Sequence, residues 1–204
     1  MQQVDNELYQ WISTTGRLLG TLFYYEPKDE RSQSVIEWFK QDDSLELWKG
    51  LDNLEHISTL IQQGIKQDLD SQFQDRFIGP NPFVAPPWGS VYLDPESVVF
   101  GNSLLTLREF LRKHQIQFVT KYEEPEDQFG VMLLLSAYIA EQKPHLLNEF
   151  LSHHLFTWSS RYLELFLGQN GSPFYQAMGI LAQTTLIEWE QELALDKQQA
   201  VLYR

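Results

Sequence analysis

Helical apolar spacing runs through most of this chain and then stops abruptly at one proline-rich segment. Leu8, Trp11, Ile12, Thr15, Leu19, Leu22 and Phe23 fall on one side of a 3.6-residue wheel, with Arg17 opposite. Pro27 ends that stripe, and a short second one follows at Val35, Ile36 and Phe39. Leu54, Ile57, Ile61, Ile65, Leu69 and Phe73 predict a longer helix, closed by Gly79-Pro80. From Ile78 to Ser97 the helical period is absent. Four of the nine prolines, Pro80, Pro82, Pro86 and Pro87, are packed into its first half. Proline fixes φ, lacks an N–H and pushes the preceding residue away from the α region. The segment therefore reads as an irregular, stiffened loop, and its Phe83, Trp88, Val91, Tyr92 and Leu93 call for burial rather than disorder.

Helices resume at Asn102 or Ser103 as the cap, with Leu104, Leu107, Phe110 and Leu111 as the apolar face. A second irregular stretch, Tyr122 to Gln128, leads into Phe129 to Ala140, which is apolar nearly all round and predicts the central buried helix. Pro144 suits the first turn of a helix, and Ser172-Pro173 makes a cap followed by an N1 proline. No strand-like alternation of useful length occurs. The expected fold is all-α, one bundle of about eight to ten helices spanning residues 1–204 as a single domain.

At 204 residues such a bundle can bury an ample core without cross-links, and the chain has no cysteine. Disulfide frameworks, cysteine-held zinc, iron–sulfur clusters and thiol nucleophiles are thereby excluded. The net charge of −13 disfavours nucleic acid and anionic membrane surfaces, and it suits a basic partner as well as simple solubility. The longest near-apolar run, Val131 to Ala140, is about half the roughly 20 residues a bilayer-spanning helix needs. Met1 to Asn6 shows no basic-then-apolar leader pattern, so a cytoplasmic protein without stable membrane insertion is expected.

Catalytic signatures are missing. The sequence has no GxSxG, HExxH, phosphate loop or GxGxxG. His153 and His154 are adjacent, about 100° apart on a helix, and form no metal-binding pair. Glu124, Glu126 and Asp127 precede a helix, where the macrodipole and capping already favour carboxylates. Pro86-Pro87-Trp88-Gly89 presents an indole on a rigid turn, either as a plug for the bundle or as a binding element. If this turn and the acidic helix start meet in space, they form an apolar slot with an acidic rim, suited to a peptide with basic residues beside an apolar stretch.

The same segments resemble the TorD/DmsD family of redox-enzyme maturation chaperones. The resemblance rests on Phe77-Ile78-Gly79-Pro80, on Pro86-Pro87-Trp88-Gly89-Ser90-Val91-Tyr92-Leu93-Asp94, on Glu96 to Gly101 and on Glu124-Pro125-Glu126-Asp127. Arg17 to Tyr25 and His154 to Ser159 fit it too, so it covers essentially the whole chain. It implies an all-helical cytoplasmic chaperone without catalytic activity, metal or cofactor. Its implied partners are the twin-arginine leader and precursor of a molybdopterin-containing reductase catalytic subunit, and the twin-arginine translocase as a further one. Within the family the match is nearest the branch that serves dimethyl sulfoxide reductase, with a trimethylamine N-oxide reductase or related client as the alternative. Nucleotide hydrolysis and a purely structural loop are the readings from other classes.

Carried over by motif, the leader-binding residues are Phe77, Pro87, Trp88, Gly101, Glu124 and Asp127, with Tyr24 and Gln128. At Gln128 the family usually has histidine. Glutamine keeps the hydrogen-bonding capacity but does not titrate near neutrality. The resemblance then offers the two leader arginines to Glu124 and Asp127, and the leader's apolar segment to Trp88 and Phe77.

Overall fold

A computed structural model of the chain describes residues 2–48, 50–119, 123–196 and 198–204, with the backbone alone for residues 2–5. Ten α-helices occur among the described residues, with short 3-10 and π turns between them and no strand longer than one bridge. The expected all-α bundle is what forms. The wheel pattern of the first stripe is realised in α1 (Gln2–Tyr24), whose Ile12, Leu19 and Phe23 are fully buried.

The centre of the bundle is α7 (Phe129–Gln142), ten of whose fourteen residues are buried. Most of its surface is covered, with only Tyr138 and its last two residues, Glu141 and Gln142, exposed, and so it has no broad polar face. Its main neighbour is α1, and the two approach through glycines. A Cβ on Gly20 would lie 2.8 Å from the Gly130 carbonyl oxygen, so the backbones cross where side chains have no room. The last long helix, α10 (Pro173–Glu192), packs on both α1 and α3 (Leu54–Gly64). Ser172 caps it by accepting from the Tyr175 N–H at 3.3 Å, with Pro173 at N1 as its sequence predicts.

Three expectations need correction. The apolar stripe from Leu54 to Phe73 is two helices, α3 and α4 (Leu69–Phe73), because Asp68 starts a new one by accepting from the Ser71 N–H. At the end of α3, Gly64 lies against Phe174, where a Cβ would meet the Phe174 amide nitrogen at 2.3 Å. The proline-rich loop is not irregular throughout, since Gly89–Leu93 forms the short helix α5, buried except for Leu93. The chain around it is short in sequence but well enclosed, which lets a single turn persist. Neither Asn102 nor Ser103 caps α6 (Asn102–Lys113). Gly101 holds the cap position, and the buried Asp94 supplies the acceptor from outside, bonding the Ser103 N–H at 3.2 Å and its hydroxyl at 2.5 Å.

The remaining helices are α2 (Glu30–Trp38), α8 (Leu147–Phe150) and α9 (Ser159–Leu167). A π turn over Leu151–Leu155 joins α8 to the segment before α9 and carries His153 and His154. Beyond α10 the chain is irregular and runs back over α5, where the Tyr203 N–H donates to the Tyr92 carbonyl at 2.9 Å.

Candidate functional site

The two segments that break the helical pattern do meet. Trp88 and Gln128 pair as a one-residue antiparallel bridge. The Phe129 N–H donates to the Pro87 carbonyl at 2.7 Å, and the Gly89 N–H donates to the Asp127 carbonyl at 3.0 Å. Prolines stiffen one side of this clamp, and the start of the central helix anchors the other. The carboxylates expected to serve α7 do not cap it. Gln128 does, accepting from the Val131 N–H at 3.0 Å while its amide nitrogen donates to the Phe23 carbonyl at 2.8 Å. Both ends of that buried side chain are satisfied, so a titrating histidine is not needed to hold α1 against α7.

On one side of the clamp a groove of about 400 Å³ opens. Tyr24, Phe77, Trp88, Glu124 and Gln128 line it, joined by Tyr25, Glu26, Phe73 and Ile78. Phe77 is buried at its base, against the rings of Phe73 at 4.7 Å and Tyr175 at 5.5 Å. Trp88 is half-buried, edge-on to Phe83 at 5.4 Å, and its indole N–H donates to a Glu124 carboxylate oxygen. Burial pushes the Glu124 carboxyl above its ordinary range, the indole N–H pulls it back, and nearby Asp127 adds to the rise. The groove is thus aromatic within and carboxylate-bearing at its edge. Cations that enter find Glu124 already oriented by the indole.

The other expected residues lie elsewhere. Pro87 is buried in the clamp and contributes its carbonyl. Gly101 faces Asp94, with its Cβ position 2.3 Å from Asp94 Oδ2, and its φ of −72° is open to any residue, so the close approach alone favours glycine. Asp127 points away from the groove. Its Oδ2 accepts from the Ser90 N–H at 2.6 Å, at the start of α5, and it lines a separate cavity of about 260 Å³. Burial raises the Asp127 carboxyl, and the Ser90 N–H offsets part of that.

Tyr25, Glu26, Phe73 and Ile78 were not among the site residues expected from the sequence. Ile78 carried a usable signal as a large apolar side chain beside a proline turn, and it is 51% exposed here. Phe73 carried none, because an aromatic residue at helical spacing reads as core. His154, one turn after Phe150, reads from the sequence as a boundary or partly buried histidine, and it is partly buried. It packs between Phe110 at 5.0 Å and Phe150 at 6.0 Å, and burial, with His153 beside it, lowers its pKa to about 4. The segment Tyr122 to Gln128 is described from Glu123 onward, and Tyr122 lies outside the described residues. No cluster of histidines and carboxylates able to hold a metal occurs among the described residues.

Comparison with known proteins brings these features together. Residues 42–164 match the family described as nitrate reductase delta subunit. A Haemophilus influenzae protein named "Probable Tat proofreading chaperone DmsD" is 48% identical over 98% of this chain and its own full length. The Tat proofreading chaperone DmsD of Salmonella typhimurium is 40% identical, covering 95% of this chain and 96% of the relative. More distant is the chaperone protein TorD of Aliivibrio fischeri, 22% identical over 88% of this chain and 90% of its own. Among solved structures, a chain from Archaeoglobus fulgidus assigned as a redox enzyme maturation protein superposes with a TM-score of 0.54 at 19% identity, over 90% of this chain and 93% of that one. That likeness supports the fold. No described helix is long and apolar enough to cross a membrane.

Proposed function

This chain belongs to the TorD/DmsD family of redox-enzyme maturation chaperones, and we propose that it binds the twin-arginine leader of a molybdopterin-containing reductase catalytic subunit. The client of this reading is of the dimethyl sulfoxide reductase type. Binding holds the precursor back from the twin-arginine translocase until folding and cofactor insertion are complete. The names of the two nearer relatives cited above, against 22% identity to the TorD chaperone, favour this client over a trimethylamine N-oxide reductase.

The observation that carries the reading is the clamp between Trp88 and Gln128, which sets an aromatic groove beside an oriented carboxylate. A leader has the complementary order, with paired arginines followed by an apolar segment. Guanidinium forks fit Glu124, with Glu26 lining the same groove, and the apolar segment covers Trp88, Phe77 and Ile78. Nothing in this role requires a covalent step. The chaperone works by occupancy, shielding the leader while it is bound.

Titration of a synthetic twin-arginine leader against the protein tests the proposal, with the same peptide carrying paired lysines as control. The arginine peptide is expected to bind at least tenfold more tightly, since a planar fork is held at two points and an ammonium at one. Equal affinity for both peptides, or no binding of either, rejects the groove as a leader site.

A further inference from the structure

The proline loop from Gly79 to Pro87 is fixed at both ends and has few ties between them. At one end the Gly79 N–H donates to the Gln74 carbonyl at 2.9 Å, and the Gly79 carbonyl accepts from the Gln74 side-chain amide at 2.6 Å. At the other end the Pro87 carbonyl accepts from the Phe129 N–H at 2.7 Å. Pro80, Pro82 and Pro86 have no N–H to offer. Among the described residues, one side chain alone hydrogen-bonds the backbone between Pro80 and Pro86. Arg204 Nη2 donates to the Phe83 carbonyl at 2.7 Å and reaches the Val84 carbonyl at 3.5 Å.

Arg204 is itself tied to the bundle. Arg161 Nε, on α9, donates to its carbonyl at 3.2 Å, and the Tyr203 N–H donates to the Tyr92 carbonyl of α5 at 2.9 Å. Tyr92 is fully buried and stacks on Trp158 at 5.6 Å. The guanidinium therefore carries the position of two packed helices to the middle of the loop. What stands there matters to the groove. Phe83 is half-buried, and its ring packs edge-on to Trp88 at 5.4 Å, against an indole whose N–H is directed to Glu124. The bond from Arg204 is exposed, so it adds little to global stability. A loop with few other ties responds to its loss more than the bundle does.

We propose that Arg204 is a positioning residue for the leader site, fixing Phe83 and, through Phe83, the Trp88 indole in the orientation that receives the leader's apolar segment. This rests on the reading of the groove as a leader site. The sign of the effect separates positioning from charge. Arg204 is a cation, and by electrostatics alone the removal of a cation this close to the site favours a leader with two arginines. Loss of positioning acts the other way, because a ligand that finds the aromatic wall in place only part of the time binds more weakly by that fraction.

The test titrates a synthetic twin-arginine leader against the full chain carrying Arg204→Ala. With the wall in place about one-fifth of the time, affinity falls about fivefold while the melting temperature stays unchanged. Arg204→Lys keeps one charged donor and is expected to recover part of the loss. Phe83→Ala is expected to cost more, and adding Arg204→Ala to it is expected to cost nothing further, as for two residues that act through one contact. Unchanged or tighter binding by Arg204→Ala, additive losses in the double variant, or a fall in melting temperature that parallels the loss of binding overturns the proposal. A second readout needs no leader. The indole N–H NMR signal of Trp88, assigned by its absence in Trp88→Phe, is expected to shift in Arg204→Ala. That shift supports the positioning role even if no leader peptide binds, in which case the leader reading alone falls. An unmoved Trp88 signal overturns the role of Arg204 even if the leader binds the unmodified protein.

Discussion

Glu124 and Asp127 are three residues apart in sequence and occupy opposite sides of one backbone clamp. Glu124 is half-buried at the edge of an open aromatic groove, held by an indole N–H. Asp127 is 4% exposed, held by a backbone N–H at a helix start, and it lines a separate cavity to which Gln198, Gln199 and Ala200 also contribute. Two carboxylates in one short motif therefore do different work. One lies at the groove edge, where the proposed leader would meet it. The other helps fasten α5 to the entry of α7. Proximity in sequence says little about shared function here, because a turn from Pro125 to Gln128, closed by the Gln128 N–H donating to the Pro125 carbonyl at 3.1 Å, reverses the chain between the two side chains.

The largest effect that could break this contrast concerns the groove side. Trp88→Ala removes the anchor that would cover the leader's apolar segment, and it is expected to cost about 2–4 kcal/mol of binding, at least thirtyfold in affinity. Leader titration beside thermal melts checks it, with the loss in binding expected to exceed the loss in stability. Unaltered affinity would show that the indole is a plug for the bundle.

Next comes the cavity side, through His154. Its pKa of about 4 in the folded protein lies below the ordinary value of 6.5, so the folded state resists taking up the proton that the unfolded chain accepts. Stability from this group is complete above pH 6.5 and is lost as pH falls from 6.5 to about 4, by on the order of 3 kcal/mol. The Asp127 and Glu124 carboxyls act in the other direction, since burial raises both and their ionisation weighs against folding as pH rises past their ordinary range. Denaturation of wild type and His154→Gln across that window is expected to show a flatter acid limb in the variant. Parallel curves would place the acid sensitivity elsewhere in the molecule.

A finer comparison sets the carboxylates against each other. Asp127→Ala strands the Ser90 N–H in a buried site and is expected to cost about 1–3 kcal/mol of stability. Glu124→Gln is expected to leave stability within about 0.5 kcal/mol, with its effect falling on leader affinity and on the salt dependence of binding. A groove-edge charge is screened at a Debye length of about 8 Å in physiological salt, so wild-type binding weakens with added salt and the Glu124→Gln curve is shallower. Urea titrations with leader titrations at two salt concentrations distinguish the two residues. If Asp127→Ala were harmless to the fold while Glu124→Gln destabilised it, the assignments to the two sides would have to be exchanged.

Several features of the molecule follow from local chemistry and were legible without coordinates. The stripe from Leu8 to Phe23, the all-round apolar run from Phe129 to Ala140 and the Ser172-Pro173 cap each obey a short-range rule, either helical periodicity or terminal hydrogen bonding. The break from Ile78 to Ser97 was equally plain, because prolines act on their own φ and on the residue before them. Long-range chemistry was not. No local rule joins Trp88 to Gln128, reaches from Asp94 to the start of α6, or sends Asp127 to Ser90 instead of to its own helix. Nor does periodicity say that Phe73 and Ile78 share a groove with Tyr24, or that Gln198 to Ala200 line one cavity with Asp127. Helix formation depends on residues three or four apart, which the sequence by itself displays. The clamp, the groove and the second cavity depend on which distant backbone groups find each other once α7 is packed, and tertiary packing alone decides that.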